Sequence, residues 1–306
     1  MRRENRRMFH VIPKSYRTFR FSSHFQPTII VSPGDYLLFH TQDAHNGTID
    51  ISQPWTDVPF PELDQDSGNP VTGLVSIKNA LVGKLLQVKI LQIIPDPVGI
   101  LPVRSYMGIM RNVVSDRLAR TVKYQDKRVW ISQELALPAR PMVGTIGVAP
   151  EKGEIPTIIA GSHGGNMDDN LVDEHAEVFF PIQKEGALLG LGDVHAAMGE
   201  GELTGGGVDI SAQVLVQVDV VDSFFPSKNP VIIRKGMVST HGFGKDYSKA
   251  AQIASEEMAQ LLMHQLKLSK YEAVLLMAAR GDLGLCQACL SDSSATGVRM
   301  TFPILW

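Results

Sequence analysis

From Val208 to Val220 the chain alternates: Val208, Ile210, Ala212, Val214, Val216, Val218 and Val220 are apolar, and most residues between them are polar. A period of two puts every apolar side chain on one face of a β-strand. The run is long for one strand, so a bend or bulge is expected within it. Leu86, Val88 and Ile90 repeat the pattern around Gln87 and Lys89. Thr28 to Val31, the turn Ser32-Pro33-Gly34-Asp35, and Tyr36 to Phe39 read as strand, turn, strand. Glycine and proline punctuate residues 25–225 and leave only short apolar runs between them. This suits an all-β sandwich or barrel better than alternating helices and strands.

The pattern changes after residue 240. Alanine, glutamate, glutamine, leucine and methionine dominate Asp246 to Leu266, with Ile253, Met258, Leu261, Leu262 and Leu266 at helical spacing. Asp246 or Ser248 is the expected cap. Ser269-Lys-Tyr-Glu272 has the spacing of a capping box, which opens a second helix through Met277, and Gly281 would end it. The chain is thus expected to be mainly β, with a core over residues 10–225. A smaller C-terminal α-helical portion over 226–306 would pack on it as one compact unit, with Phe224 to Lys235 as the link. No internal repeat or low-complexity segment interrupts this organisation.

Composition narrows the class. The 306 residues are 44% hydrophobic and 20% charged, enough to bury a sizeable core. A net charge of −3 gives no general attraction to nucleic acid or anionic membrane. No apolar run reaches the roughly 18 residues of a membrane-spanning helix. The basic start (Arg2, Arg3, Arg6, Arg7) lacks the apolar stretch and cleavage site of a secretory signal and reads as a frayed, solvated end. Cys286 and Cys289 are spaced C-x-x-C, but no second ligand pair or activating neighbour accompanies them, so they read as ordinary, partly buried residues. Such sparing use of cysteine fits the cytoplasm.

Residues able to do chemistry concentrate in three glycine-rich stretches: His40 to Thr48 with Asp43 and His45; Ser162 to Asp169 with His163, Asn166 and Asp168; and Gly192 to Glu202 with Asp193, His195, Glu200 and Glu202. Each sets carboxylate and imidazole within a few residues, the donor types of a catalytic zinc or similar ion. Asp193 and His195 are two apart, so in an extended segment both face one side. Against this, Gly-Asp pairs are common turn formers, a lone histidine before two glycines more often hydrogen-bonds than ligates, and Glu200 and Glu202 suit a solvated loop. Recurrence of the same mix in three places is what a turn explanation does not require. On residue types alone a metal-assisted site and a set of polar turns stand side by side.

Other chemistries have less support. There is no G-x-S-x-G elbow and no Walker loop. Gly161-Ser-His-Gly164 and Gly205-Gly-Gly207 border strands instead of opening helices, so phosphate cradling is weakly supported. Ser162 beside His163 says little about nucleophile geometry.

The stretch His163-Gly-Gly-Asn-Met-Asp168, then Phe180-Pro-Ile-Gln-Lys-Glu-Gly-Ala-Leu-Leu189, then Gly192-Asp-Val-His-Ala-Ala-Met-Gly-Glu-Gly-Glu202, resembles the signature of the acetamidase/formamidase family in order and spacing. Asp43-Ala44, Asn69-Pro-Val-Thr-Gly73, Gly147-Val-Ala-Pro150, Leu268 to Leu276 and Gly281-Asp282 extend the likeness over about residues 25–300. The resemblance implies a β-sandwich-like fold with a small helical portion, hydrolysis of short amides to carboxylate and ammonia, a divalent metal ion, and a homodimer or higher homo-oligomer. Thr48 stands where the family usually has Gln, and His45 is outside its pattern, so the preferred amide stays open.

The resemblance implies hydrolysis, and the residues allow an account of it. A divalent ion (zinc, with calcium the alternative) would be held by His163, Asp168, Asp193 and His195, with Asp43 as a further ligand. Glu202, or else Glu200, would take a proton from water and pass it to the leaving nitrogen. His45 and Asn166 would contact the amide. The expected partner is a small amide, with neither nucleic acid nor membrane. Two rivals remain: a calcium-binding β-sandwich module, and an amidohydrolase for a larger or cyclic amide. Three Trp and six Tyr are few for a sugar-binding surface.

Overall fold

A computed structural model describes residues 7–59, 68–104, 107–111, 113, 118–288 and 296–306. Its centre is the antiparallel pair Ala212–Asp222 and Lys84–Pro95, registered from Ala212 opposite Pro95 to Asp222 opposite Lys84. The register shifts between Leu215 and Val216, the irregularity expected of so long a run. Ala212, Val214, Val216 and Val218 are buried, as are Leu86, Val88 and Ile90. Around this pair grows a nine-stranded sheet in the order Phe9–Ile12, Tyr36–Thr41, Ala212–Asp222, Lys84–Pro95, Glu177–Pro181, Val231–Arg234, Met237–Gly244, Thr296–Pro303 and Asp282–Gln287.

A six-stranded sheet packs against it. Its path runs Gly164–Asn166, Met142–Gly147, Leu189–His195, Val71–Ile77 and Arg17–Thr18, with Ile29–Val31 also paired to Val71–Ile77. Val143, Ile146, Leu189 and Leu191 of this sheet share one core with Leu37, Phe39, Val88 and Val216 of the other. Each fully buried aliphatic side chain stabilises by roughly 1.5–3 kcal/mol, and that shared interior holds the two layers face to face.

The strand, turn, strand reading of residues 28–39 holds, and its two strands enter different sheets. Ile29–Val31 runs parallel to Val71–Ile77 in one sheet, while Tyr36–Thr41 joins the other. The turn hands the chain across the sandwich. Buried Asp35 fixes it, accepting from Ser32 N at 2.9 Å and from Met8 N at 2.8 Å.

A five-stranded sheet of Val98–Val103, Leu118–Gln125, Arg128–Trp130, Ala136–Pro138 and Asp57–Pro59 borders the sandwich. At the C-terminal end lie helices α1 (Tyr247–Leu266) and α2 (Lys270–Arg280). Asp246 caps α1 by accepting from Lys249 N at 2.8 Å, and Ser269 and Glu272 form the expected capping box of α2 before Gly281. Helix α1 buries Ala254, Met258, Leu261 and Leu262 against Val238, Met300 and Phe302. Those last three belong to strands, so the segment read as helical also contributes four strands to the nine-stranded sheet. Among the described residues no helix is long and apolar enough to cross a membrane.

Candidate active site

Three neighbouring strands of the six-stranded sheet carry the site. Thr145 stands opposite Asn166 on one side and Gly192 on the other, and Met142 stands opposite His195. Asn69, just ahead of Val71–Ile77, reaches across: its Nδ2 donates to Asn166 Oδ1 at 2.7 Å and to Asp193 Oδ2 at 2.8 Å. The Thr145 hydroxyl lies 2.6 Å from Asn166 Oδ1 and 3.1 Å from Asp193 Oδ2. Asn166 Nδ2 donates to Asp168 Oδ2 at 2.5 Å. One oxygen of each aspartate is therefore held by amide or hydroxyl groups.

The other oxygens are not. Among the described residues, Asp168 Oδ1 and Asp193 Oδ1 are buried with no hydrogen-bond donor, although His195 Nε2 lies 3.4 Å from the latter. A carboxylate oxygen of Asp168, one of Asp193 and a ring nitrogen of His195 lie within 4.8 Å of one another. Gly144 floors this group. A Cβ there would stand 2.6 Å from Asp168 Oδ1 and 2.9 Å from Asp193 Oδ2, so any side chain would occupy the carboxylates' space.

The backbone is strained at the same place. Asn69, Asp168, Asp193 and Glu202 have φ of 49°, 45°, 52° and 47°. Left-handed residues other than glycine are uncommon, and their clustering marks a site that the surrounding structure over-determines.

Asp209 completes the inner row. Its Oδ1 is 3.3 Å from His195 Nε2 and its Oδ2 is 3.5 Å from His45 Nε2, and its backbone bridges both His195 and Ile100. Burial would raise the Asp209 carboxyl, but His195 and His45 beside it hold it well below the usual range. Burial would lower His195; the Asp193 and Asp209 carboxylates outweigh it and push the imidazole well above its ordinary value. Asp168 goes the other way from Asp209. Its burial, with the negative charges of Glu202 and Asp193, pushes its carboxyl well up.

The remaining residues expected in the site divide. Glu202 is buried and close enough to be the foremost like charge on Asp168. The Asp43 carboxylate accepts from His45 N at 3.0 Å, Gly47 N at 3.2 Å and Gln42 Nε2 at 2.7 Å, so it shapes the turn that presents His45. His163 stands edge-on to Phe21 with ring centroids 5.2 Å apart, and burial lowers its imidazole to about 4. Glu200 is half exposed and accepts from Arg299 Nη2. The structure thus gathers Asp168, Asp193, His195, Asn166 and Glu202 directly and His45 through Asp209, while Asp43 and Glu200 have their contacts elsewhere and both ring nitrogens of His163 are buried without a hydrogen-bond partner among the described residues.

A second buried group, Asp169, His241 and Cys286, lies behind the first. Arg299 Nη1 donates to Asp169 Oδ1 at 3.0 Å and His241 Nε2 lies 2.8 Å from Asp169 Oδ2. With Arg299 already in place this is a satisfied ion-pair network. Cys286 is a buried thiol pushed up by burial and by Asp169, while Cys289 lies outside the described residues.

Asn69, Gly144, Thr145 and Asp209 were not anticipated as site residues. Asp209 falls on an odd, polar position of the Val208–Val220 alternation and so reads as solvent-facing, yet it is 1% exposed. The chain there lies ahead of the strand that begins at Ala212 and bridges Ile100 and His195 of the two other sheets. Thr145 and Gly144 sit in an apolar strand with no chemical signature of their own.

The model of the acetamidase/formamidase family matches residues 97–280, which takes in this whole cluster apart from Asn69 and His45. The chain belongs to the acetamidase/formamidase family. Solved structures agree with that placement in the family. A protein from the thermophile Thermoanaerobacter tengcongensis, crystallised as a predicted acetamidase/formamidase, is 34% identical, with a TM-score of 0.90 over 97% of this chain and 96% of its own. An acetamidase from Bacillus halodurans is 28% identical, with a TM-score of 0.89 over 96% and 97%. An acetamidase from Yersinia enterocolitica, 23% identical with a TM-score of 0.88 over 98% and 93%, shares the fold. No curated protein sequence matches the chain. As a member of the acetamidase/formamidase family, the chain is an amide hydrolase.

Proposed function

We propose that this enzyme hydrolyses short-chain amides of the formamide and acetamide type to carboxylate and ammonia, using a divalent ion held by Asp168, Asp193 and His195. The observation that carries the reading is the pair of buried carboxylate oxygens without donors, gathered with an imidazole in a chain of this family. Buried acceptors are nearly always paired, and a cation is the partner that suits two anionic oxygens and a ring nitrogen. Two carboxylates and an imidazole match zinc better than calcium, which prefers six to eight oxygen ligands. When bound, such an ion would lower the pKa of a water toward about 7 and offset charge on the amide oxygen.

The chain's own residues supply the rest. Glu202 accepts a proton from the attacking water and delivers it to the amide nitrogen, so that ammonia departs instead of amide anion. Asn69, Thr145 and Asn166 orient the two aspartates, and Asp209 orients the His195 ring and draws His45 toward the site. Asn166 therefore acts through Asp168 and Asp193. Asp43 stays outside the proposed ligand set because its contacts are consumed by its turn, and His163 because its ring nitrogens, although buried without a hydrogen-bond partner among the described residues, do not gather with the ligand atoms of Asp168, Asp193 and His195. A homo-oligomer acting in the cytoplasm belongs to the same reading, on the resemblance and the sparing use of cysteine.

The test is ammonia release from formamide and acetamide by the protein as purified, after chelation, and after return of zinc or calcium, with metal content measured alongside. Loss on chelation and recovery with one ion is expected. Full turnover by metal-free protein would rule out the metal role.

A further inference from the structure

We infer that the active site opens into an acyl pocket built for amides carrying an uncharged hydrophobic chain longer than acetyl. This deepens the amide-hydrolase reading above and rests on it. A cavity of about 380 Å³ lies where the five-stranded sheet meets residues 197–208, walled by Leu101, Val129, Ile131, Leu137, Leu203 and Val208.

The cavity adjoins the site through Glu202 and Gly207. Glu202 lines it, and so does Gly207, where a Cβ would stand 2.7 Å from His195 Cγ. An amide whose reacting carbon lies beside Glu202 and His195 therefore has room to extend its acyl chain toward Val129 and Leu137. Cavities of roughly 300–1,000 Å³ accommodate ligands of drug size, whereas acetamide, with a few heavy atoms, would leave most of this wall wet. Leu137 and Leu203 are 51% and 49% exposed, so large apolar side chains at this mouth are uncovered in the isolated chain.

The charges on the wall decide the chain's chemistry. Among the described lining residues only Glu202 and Arg140 are charged. Arg140 lies 3.4 Å from Asp173, a carboxylate it shares with Arg234, so it is engaged in an ion-pair network, and the carboxylate of Glu202 on the same wall disfavours an acidic chain end. The remaining wall is aliphatic apart from Thr204 and glycine backbone. An alkyl or similar apolar acyl group is the occupant this surface recognises.

The test compares kcat/KM of the metal-loaded enzyme for acetamide, butanamide and hexanamide, in the wild type and in Leu137→Asp. Each methylene buried in the pocket should raise kcat/KM about fourfold, and Leu137→Asp should pull the hexanamide-to-acetamide ratio back toward one. A flat or falling series in the wild type overturns the proposal. So does a Leu137→Asp variant that changes the oligomeric mass by light scattering and leaves the ratio alone, since this face would then join copies of the chain. Absence of ammonia from every amide would defeat the hydrolase reading. In that event calorimetric binding still decides the pocket: hexanamide binding tighter than acetamide supports it, and equal or absent binding removes it.

Discussion

Asp168 and Asp169 are neighbours in sequence, both are fully buried, and their carboxyl groups are pushed in opposite directions. Asp168 faces Glu202, Asp193 and Asp209, and its burial and these like charges raise it. Asp169 is equally buried, but Arg299 and His241 outweigh that and hold it at about 2. A short strand end thus sends one carboxylate to each of two adjoining clusters. In the first, the like charges of Glu202, Asp193 and Asp209 outweigh the one imidazole of His195; in the second, Arg299 and His241 outweigh burial.

Opposite pH dependences of stability follow for metal-free protein. Asp169 binds its proton less readily when folded, so its contribution is present above the unfolded value near 3.8 and is lost as pH falls toward about 2. Asp168 binds its proton more readily when folded, so stability is lost as pH rises from near 3.8 through its raised value. Asp168→Asn should flatten the alkaline-side loss in thermal melts of chelated protein and abolish metal binding. Asp169→Asn should lower stability by about 3–5 kcal/mol, because Arg299 and His241 would remain buried without their carboxylate. Equal effects of the two substitutions would refute the division into two clusters.

Gly144→Ala tests the floor of the site. Its methyl would need to stand 2.6 Å from Asp168 Oδ1 and 2.8 Å from the Asp193 backbone oxygen, so the strands or the carboxylates must move. Overpacking of this kind costs about 1–3 kcal/mol, a loss the protein can survive. Metal affinity should fall at least tenfold, read by chelator competition. Unchanged affinity with a normal melting curve would show that the two carboxylates do not act together.

The fold was legible where the pattern is local and repeated. The alternation of Val208–Val220, the Leu86–Ile90 strand, the Asp246 cap and the Ser269–Glu272 box each depend on a few adjacent residues, and each formed. What the pattern could not carry was partnership. Residues 28–39 predicted two strands correctly, but which sheet each enters depends on Val71–Ile77 and Ala212–Asp222, far along the chain. The same limit applied at the site. Asp168, Asp193 and His195 carry an obvious donor chemistry and were picked out, whereas Asp209 looked like any outward polar residue of a strand. His163 has the right chemistry and two buried, unpartnered ring nitrogens among the described residues, yet these do not lie with the ligand atoms of Asp168, Asp193 and His195, a distance no spacing rule contains.

Asp209→Asn tests a positioning role. Asp209 touches His195 and His45 and is not among the residues that gather for an ion. Replacing its carboxylate with an amide should leave the ring of His195 less firmly oriented and its imidazole less readily protonated. Metal affinity should fall about 10–100-fold, as for other groups that orient a ligand. His195 titration followed by NMR in chelated protein should move down relative to wild type, a readout that a merely structural role would leave in place. An unmoved His195 resonance would remove Asp209 from this role.

Glu202 and Glu200 lie two residues apart on one loop, and their surroundings separate them. Glu202 is buried beside Asp168 and lines the cavity, whereas Glu200 is half exposed and paired with Arg299. Proton transfer in amide hydrolysis needs a group that reaches both the water and the departing nitrogen, and of the two only Glu202 borders the cavity proposed to take the amide. Glu202→Gln should lower kcat about 10²–10⁴-fold while metal content stays at the wild-type level, since the amide keeps the shape and loses the proton. Glu200→Gln should change kcat little and cost at most about 1 kcal/mol of stability, because a partly solvated ion pair contributes no more than that. Single-turnover ammonia release and metal analysis on both variants make the comparison. A Glu200→Gln enzyme that fails while Glu202→Gln retains turnover would transfer the proton-shuttling role to Glu200 and require the loop to rearrange around Arg299 during the reaction.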